Sequence, residues 1–192
     1  MNVFHAIENR RSIRQFKPDP VAQELLEKIL EAGTLAPSGK NKQPWQFFVV
    51  RGDKRDEMVH EMQKGLDRLE GMEVHTGSAR HTINVMAQAP VTIFVINPTI
   101  NQPPYEWKTL ESNADVVDTQ SIGAAIQNML LAAQALGLGT LWICDIFYAY
   151  DELHTWLGTD GQMIAAVSLG YPDQSPKPRP RKSVEEVTVY VE

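Results

Sequence analysis

DVVDTQSIGAAIQNMLLAAQAL, residues 115–136, is the stretch whose reading decides the fold. Gln120, Gln127 and Gln134 recur every seven residues, and Ile122, Ala124, Ala125, Ile126, Met129, Leu130, Leu131, Ala132 and Ala133 fill nearly all the rest. That pattern predicts a long helix that is apolar almost around its circumference, and such a helix is buried on several sides. In a chain of 192 residues, burying it fully calls for a second subunit. Gln127 has two readings, an interface glutamine or a buried one paired within its own subunit. Gly137 and Gly139 end the helix, and Thr140 to Ile146 reads as a strand.

Working outward, Val91 to Ile96 is a nearly pure apolar run, the mark of a buried strand. Ser78 to Gln88 reads as helical. Asp53 opens a charged helix running to about Gly71, with Met58, Met62, Leu66 and Leu69 as its buried positions. Trp45 to Val50 is aromatic and β-branched and predicts a strand ended by Arg51-Gly52-Asp53. A helix is expected from Pro20 to about Gly33, capped by Asp19, with Leu25, Leu26, Ile29 and Leu30 as its stripe. Val3 to Asn9 forms a short amphipathic turn, capped by Asn2, with Val3, Phe4 and Ile7 on one face. Downstream, Tyr150 to Leu157 is a brief helix, Met163 to Gly170 an apolar strand, and Val187 to Val191 alternates as a last strand. Ala36 to Pro44 and the proline-bearing Asn97 to Trp107 read as loops. No internal repeat or linker divides the chain, so residues 1–192 are expected to form one domain.

Composition narrows the function classes. A hydrophobic fraction of 43% and a charged fraction of 22% are those of a soluble globular protein. A formal net charge of −6 argues against nucleic-acid binding, which needs a basic face. The amino terminus lacks the apolar run of a secretory signal, and no stretch approaches the roughly 20 apolar residues that cross a bilayer, so no membrane association is expected. Cys144 is the only cysteine, which rules out an internal disulfide and fits a cytoplasmic protein. The five histidines form no i, i+4 pair and have no nearby cysteine, so no metal site is expected.

Against the acidic background stand two basic clusters near opposite ends. Arg10, Arg11, Arg14 and Lys17 form one; Lys177, Arg179, Arg181 and Lys182 form the other; together they hold 8 of the 18 Lys and Arg residues. Crowded guanidinium groups repel unless an anion lies between them, and their forks fit phosphate oxygens two at a time. Two readings stand: a phosphate pocket, if the fold joins the ends, or two solvated basic patches.

Arg10-Arg11-Ser12-Ile13-Arg14, Pro37-Ser38-Gly39-Lys40-Asn41-Lys42-Gln43-Pro44-Trp45, the Gly123 to Gly139 helix, and Gly170-Tyr171-Pro172 leading into Pro178-Arg179-Pro180-Arg181-Lys182 occur in one order and spacing. In that register the chain resembles the FMN-dependent nitroreductase family over nearly its whole length. The resemblance implies an α+β fold with a mainly antiparallel sheet between helices, in an intertwined homodimer that binds two FMN molecules at its interface. The helix would be the central dimer helix, and the carboxyl-terminal extension would cross to the partner.

By match of position, Arg10, Ser12, Arg179 and Arg181 would hold the FMN phosphate, with Arg11 beside them facing solvent. Arg14 would lie near the flavin pyrimidine edge, where a cation stabilises the negative charge gained on reduction; its other reading is a surface ion pair. Pro37, Ser38, Gly39, Asn41 and Gln43 would approach the isoalloxazine ring from the other subunit, with Lys40 and Lys42 pointing to solvent. Trp142, Ile143 and Cys144 lie on the strand that would pass flavin N5. Trp142 either borders the site or fills the core. Relatives carry a glycine where Cys144 stands; its backbone could still reach N5, while its side chain is expected to be plain buried apolar volume. Asn84 is the nearest match to an Asn and Lys pair that some relatives set against the ring, and the lysine is missing here.

No Ser/His/Asp set or carboxylate pair competes as catalyst, which fits chemistry carried by a cofactor. The implied activity is NAD(P)H oxidation with transfer to nitroaromatic, quinone or other electron-poor small molecules. NADH or NADPH would act as a weakly bound substrate, since no strand leads into G-x-G-x-x-G. The alternatives are another family activity (flavin cleavage, dehalogenation or dehydrogenation) or a flavin-binding dimer without turnover.

Overall fold

The computed structural model describes residues 2–100 and 112–191. Four strands form one antiparallel sheet: β1 (Gln46–Arg51), β2 (Val91–Asn97), β3 (Gly139–Ile143) and β4 (Gln162–Gly170), in the spatial order β1-β2-β4-β3. Seven helices accompany them among the described residues: α1 (Val3–Asn9), α2 (Gln23–Thr34), α3 (Lys54–Gly71), α4 (Ala79–Gln88), α5 (Ser112–Ala135), α6 (Tyr150–Leu157) and α7 (Val184–Val187). The α+β sandwich expected from sequence is the observed one.

β2 is buried along its whole length, and its side chains alternate between two apolar layers. Ile93 packs with α2 and the Met129 end of α5, and Val95 with Ile122, Ile126 and Leu130 of α5. Phe94 and Ile96 face the opposite layer, built from Met58, Met62 and Leu66 of α3, Ile83 and Met86 of α4, and Leu153 of α6. A bulge in β4 at Ile164 keeps the alternation in step, since Val95 pairs with Ala165 and Ile96 with Met163.

The long helix is less enclosed than its composition implies. Gln120 and Gln127 are exposed and Gln134 half-buried, so the glutamine stripe looks out of this subunit. On α1, Asn2 caps the helix as expected, yet Val3, Phe4 and Ile7 stay exposed.

Three boundaries differ from the sequence reading. α2 starts at Gln23, after Ala22, instead of at Pro20 with an Asp19 cap. Residues 19–22 stay extended and carry Val21 into the cluster around Leu26 and Ile29; that burial outweighs the Asp-Pro start signal. β3 stops at Ile143, and Asp145–Ala149 forms a 3-10 turn that buries Ile146. Val187 to Val191 is not a strand. Ser183 and Glu186 form a capping box that starts α7, and Val189, Tyr190 and Val191 are exposed and pair with none of the four strands. The proline-bearing loop falls mostly at 101–111, outside the described residues.

What positions the amino-terminal basic segment is its lacing onto β3. Ile13 N–H donates to Thr140 O at 2.9 Å, and Ser12 and Thr140 form a parallel bridge. Ile13 lies so close to the sheet that a Cβ on Gly139 would meet its Cγ1 at 2.7 Å and its Cβ at 3.0 Å. Gly139→Ala is therefore expected to cost about 1–3 kcal/mol by overpacking, read as a lower thermal midpoint. Gly71→Ala, where nothing lies within 4 Å, should leave the midpoint level or slightly raised.

Arg68 of α3 donates Nε to Oε1 of Glu152 at 2.7 Å and its Nη2 to Oε2 at 3.3 Å, tying α3 to α6. This pairing holds the Glu152 carboxyl below its ordinary 4.5, against the opposing effect of burial. A depressed carboxylate contributes stability at neutral pH and loses it as pH falls through the folded value. Glu152→Gln should thus be less stable at pH 7 and lose less stability below pH 4.5, as measured by denaturant midpoints across pH.

Candidate functional site

The two ends of the chain meet. Past Ile13 the amino-terminal segment runs antiparallel to the start of the tail. Phe16 bridges Pro172, Lys17 N–H donates to Tyr171 O at 2.9 Å, and Asp173 N–H donates to Gln15 O at 2.9 Å. The Gln174 side-chain amide, turned with its oxygen toward this segment, accepts from the backbone N–H groups of Arg14 and Gln15. Extended backbone buries Ile13 and Phe16 and turns Arg14 outward.

Between segment and tail lies a cleft of about 510 Å³, walled by Arg10, Arg11, Ser12 and Arg14 on one side and Lys177, Arg179 and Arg181 on the other. Glu8 is the single carboxylate in its wall. Among the described residues none of these arginines makes an ion pair. Arg11 donates to the carbonyls of Glu8 and Arg10, Arg14 to that of Ser12, and Arg181 to that of Pro180. Burial, then the neighbouring charges of Arg181 and Arg11, lower the Arg10 pKa from its ordinary value. A guanidinium pressed by two others and bridged to no carboxylate among the described residues is an arrangement that suits an anion. Arg11, expected to face solvent, joins this wall instead.

A second cleft of about 470 Å³ shares Arg14 and Arg179 with the first, so the two adjoin. Its floor is the end of β3 and the turn beyond: Leu141, Trp142, Ile143, Cys144 and Asp145. Trp142 is exposed and borders the cleft, which decides between its two readings. Cys144 is also exposed, contrary to the expectation of buried apolar volume: with Trp142 outward and Ile143 inward, the alternation of β3 carried one residue further places it outward. Its partial shielding, and after that Asp145, push the thiol above its ordinary 9.0, which disfavours the thiolate.

The far wall is the start of α4: Ser78, His81 and Thr82. Sequence reasoning singled out Asn84 on this helix, which is exposed but not in the wall. Ser78 and Thr82 both donate to Oδ2 of Asp145, fixing α4 against the β3 turn. The spacing 78, 81, 82 puts polar groups on one helical face, and that was the signal available.

Pro37, Ser38, Gly39, Asn41 and Gln43 line neither cleft. They form a tight loop on the first turns of α5, with a 3-10 turn at Gly39–Asn41. Lys40, Asn41 and Gln43 all adopt positive φ, at 52°, 55° and 51°. For residues other than glycine this conformation costs about 1–2 kcal/mol each, so the surroundings must hold it. Lys42 is exposed as expected, yet its Nζ pairs with Oδ2 of the buried Asp118 at 2.5 Å.

The nitroreductase family model matches residues 7–171, and the chain belongs to the nitroreductase family. It is 30% identical over 184 residues to a protein of Methanothermobacter thermautotrophicus named "Putative NADH dehydrogenase/NAD(P)H nitroreductase", covering 93% of this chain and 82% of that one. Among solved structures, a "putative nitroreductase in complex with fmn" from Desulfovibrio desulfuricans is 33% identical with a TM-score of 0.76, covering 100% of this chain and 98% of its own. A "BluB-like flavoprotein" from Clostridium difficile is 26% identical with a TM-score of 0.78, covering all of both chains. The carboxyl-terminal cluster lies beyond the residues that the family model matches.

Inorganic phosphate should raise the thermal midpoint of the purified chain, since a ligand that binds only the folded state stabilises it. Arg10→Ala and Arg181→Ala should each remove most of that rise in a titration by thermal shift.

Proposed function

We propose that this protein is an FMN-dependent NAD(P)H oxidoreductase, acting as a homodimer on nitroaromatic, quinone or related electron-poor small molecules. The observation that carries this reading is the convergence of Arg10, Arg11, Arg14, Arg179 and Arg181, unpaired with any carboxylate among the described residues, around a cleft that adjoins a second one of about 470 Å³. The fit to FMN is good: an anion site at one end, a wall of polar and aromatic groups at the other. The relative from Desulfovibrio desulfuricans carries FMN, which supports the same cofactor here.

In this reading Arg10, Ser12, Arg179 and Arg181, with Arg11 alongside, hold the phosphate, each charge-assisted bond contributing about 1.5–3 kcal/mol. Arg14, at the junction of the clefts, meets the pyrimidine edge and stabilises the charge gained there on reduction. The backbone of Ile143 and Cys144 runs beside the reactive edge, and Trp142 shields it from water. Ser78 and His81 offer further hydrogen-bonding groups where the helix lacks lysine. Pro37, Ser38, Gly39, Asn41 and Gln43 serve the ring of the partner subunit, in keeping with their distance in sequence and structure from the cleft walls of their own. Bound FMN supplies the two-electron hydride chemistry; the chain supplies binding, orientation and charge.

The dimer is supported by apolar surface left open on one subunit. Phe4 is 73% exposed and Leu35 76%, with Val117, Val184, Val187, Val189 and Tyr190 also exposed. The likeness to a BluB-like flavoprotein favours one second reading, a flavin-binding dimer with another activity on the same scaffold.

Purified protein should be yellow, and anaerobic NADH or NADPH should bleach its band at about 450 nm. Steady-state turnover with a quinone or nitroaromatic should give parallel double-reciprocal lines, as donor and acceptor use one site in turn. Bleaching by neither nucleotide would overturn the oxidoreductase reading in favour of the second one. Arg10→Ala and Arg181→Ala should fold but purify largely colourless.

A further inference from the structure

The strained loop at Ser38–Gln43 has its anchor in α5, in residues the flavin site does not otherwise use. Gly39 is pressed so tightly on the helix that a Cβ there would meet Cγ1 of Val117 at 2.5 Å. Its N–H donates to Ser121 Oγ at 3.3 Å, and that hydroxyl donates to Val117 O at 2.7 Å. Asp118 lies between them on the helix, its side chain only 3% exposed. Lys42 is the cation that reaches it among the described residues. Beneath, Thr99 Oγ1 lies 3.1 Å from Asp118 Oδ2 and 2.7 Å from Oδ1 of the fully buried Asn97, whose Nδ2 has no partner among the described residues.

A buried carboxylate with one cation holds that cation firmly, because releasing it leaves an uncompensated charge in the interior. Lys42 stands between Asn41 and Gln43, both with positive φ, and Lys40 before them makes a third. Within the loop, Asn41 N–H donates to Ser38 O, Lys42 N–H to Gly39 O and Gln43 N–H to Ser38 Oγ. Those bonds set the shape of the turn. They do not attach it to the body of the protein; the ties to Asp118 and Ser121 do. Strain of this kind persists only where the surroundings over-determine it, and it gathers at functional sites.

We propose that Asp118 is a positioning residue: through Lys42 it holds the Ser38–Gln43 loop in its left-handed conformation and so presets the backbone that meets the flavin ring. The second half of this inference rests on the proposed reading of the loop as the ring-facing segment of the partner's site. The first half does not, and the test separates them.

Protein stripped of flavin would be digested with trypsin, with cleavage after Lys40 followed by mass spectrometry, for the wild type, Asp118→Asn, Lys42→Gln and Lys42→Arg. FMN affinity and the visible spectrum of the bound flavin would then be measured for each. Asp118→Asn and Lys42→Gln should speed cleavage after Lys40 by about tenfold and weaken FMN binding by a similar factor, the equivalent of one charge-assisted interaction. They should also shift the flavin spectrum while leaving the far-ultraviolet circular dichroism unchanged. Lys42→Arg, which keeps the ion pair, should behave as the wild type. Equal cleavage in wild type, Asp118→Asn and Lys42→Gln would overturn the proposal. So would faster cleavage with unchanged FMN affinity and spectrum, since the loop would then be free of the ring. If Asp118→Asn fails to fold, Lys42→Gln decides alone. A wild type that does not bind FMN would sink the flavin reading itself, while the cleavage rates would still show whether Asp118 holds the loop.

Discussion

Guanidinium groups do not gather without a reason, and here the reason has to be found in the backbone below them. The chain from Arg10 to Lys17 runs extended between β3 and the start of the tail, bonded at Thr140 on one side and at Tyr171 and Asp173 on the other. Ile13 and Phe16 are buried in the core, which fixes the course of the backbone that carries Arg14 and follows Arg10 and Arg11. The structure thereby keeps positive charge concentrated where an anion can relieve it. Glycine at 139 is a condition of this arrangement, since the strand surface must be flat where Ile13 lies on it.

The same arrangement makes the cleft a product of distant parts. β3 contributes its end and the turn after it, α4 its first residues, the tail its arginines. The sheet holds these together because β4, at its centre with β2, is buried at every position but Ile164 and pairs with β3 in unbroken register from Gly139 to Ile143. Asp145 then joins the turn to α4 by accepting from Ser78 and Thr82. A carboxylate in this position also adds to burial in raising the Cys144 thiol.

Helix α5 links features that look unrelated along the chain. Its first turns hold the Ser38–Gln43 loop, its middle covers the sheet through Ile122 and Ile126, and Gly123 lies against the ring of Trp142, a Cβ there being 3.9 Å from Cη2. One rigid rod therefore touches the strained loop and the wall of the second cleft. The exposed glutamine stripe on it marks the face turned away from the subunit's own core.

Much of this was legible in the residues themselves. Hydrophobic periodicity located all four strands of the sheet and helices α1 to α6 to within a few residues, because burial on a flat sheet or a helical stripe leaves a short-range pattern; α7 was missed. The arginine clusters and the turn-rich loop were visible as local composition. Tertiary structure alone decided where non-local packing overrides local preference: the late start of α2, drawn by Val21, and the absence of a strand at Val187 to Val191, which alternates correctly but pairs with none of the four strands. It also decided which charges meet. Lys42 and Lys40 are alike in sequence, yet only one lies opposite a carboxylate 76 residues away. Contacts across such separations depend on the sheet register and the helix packing, and neither is written in any short window of the chain.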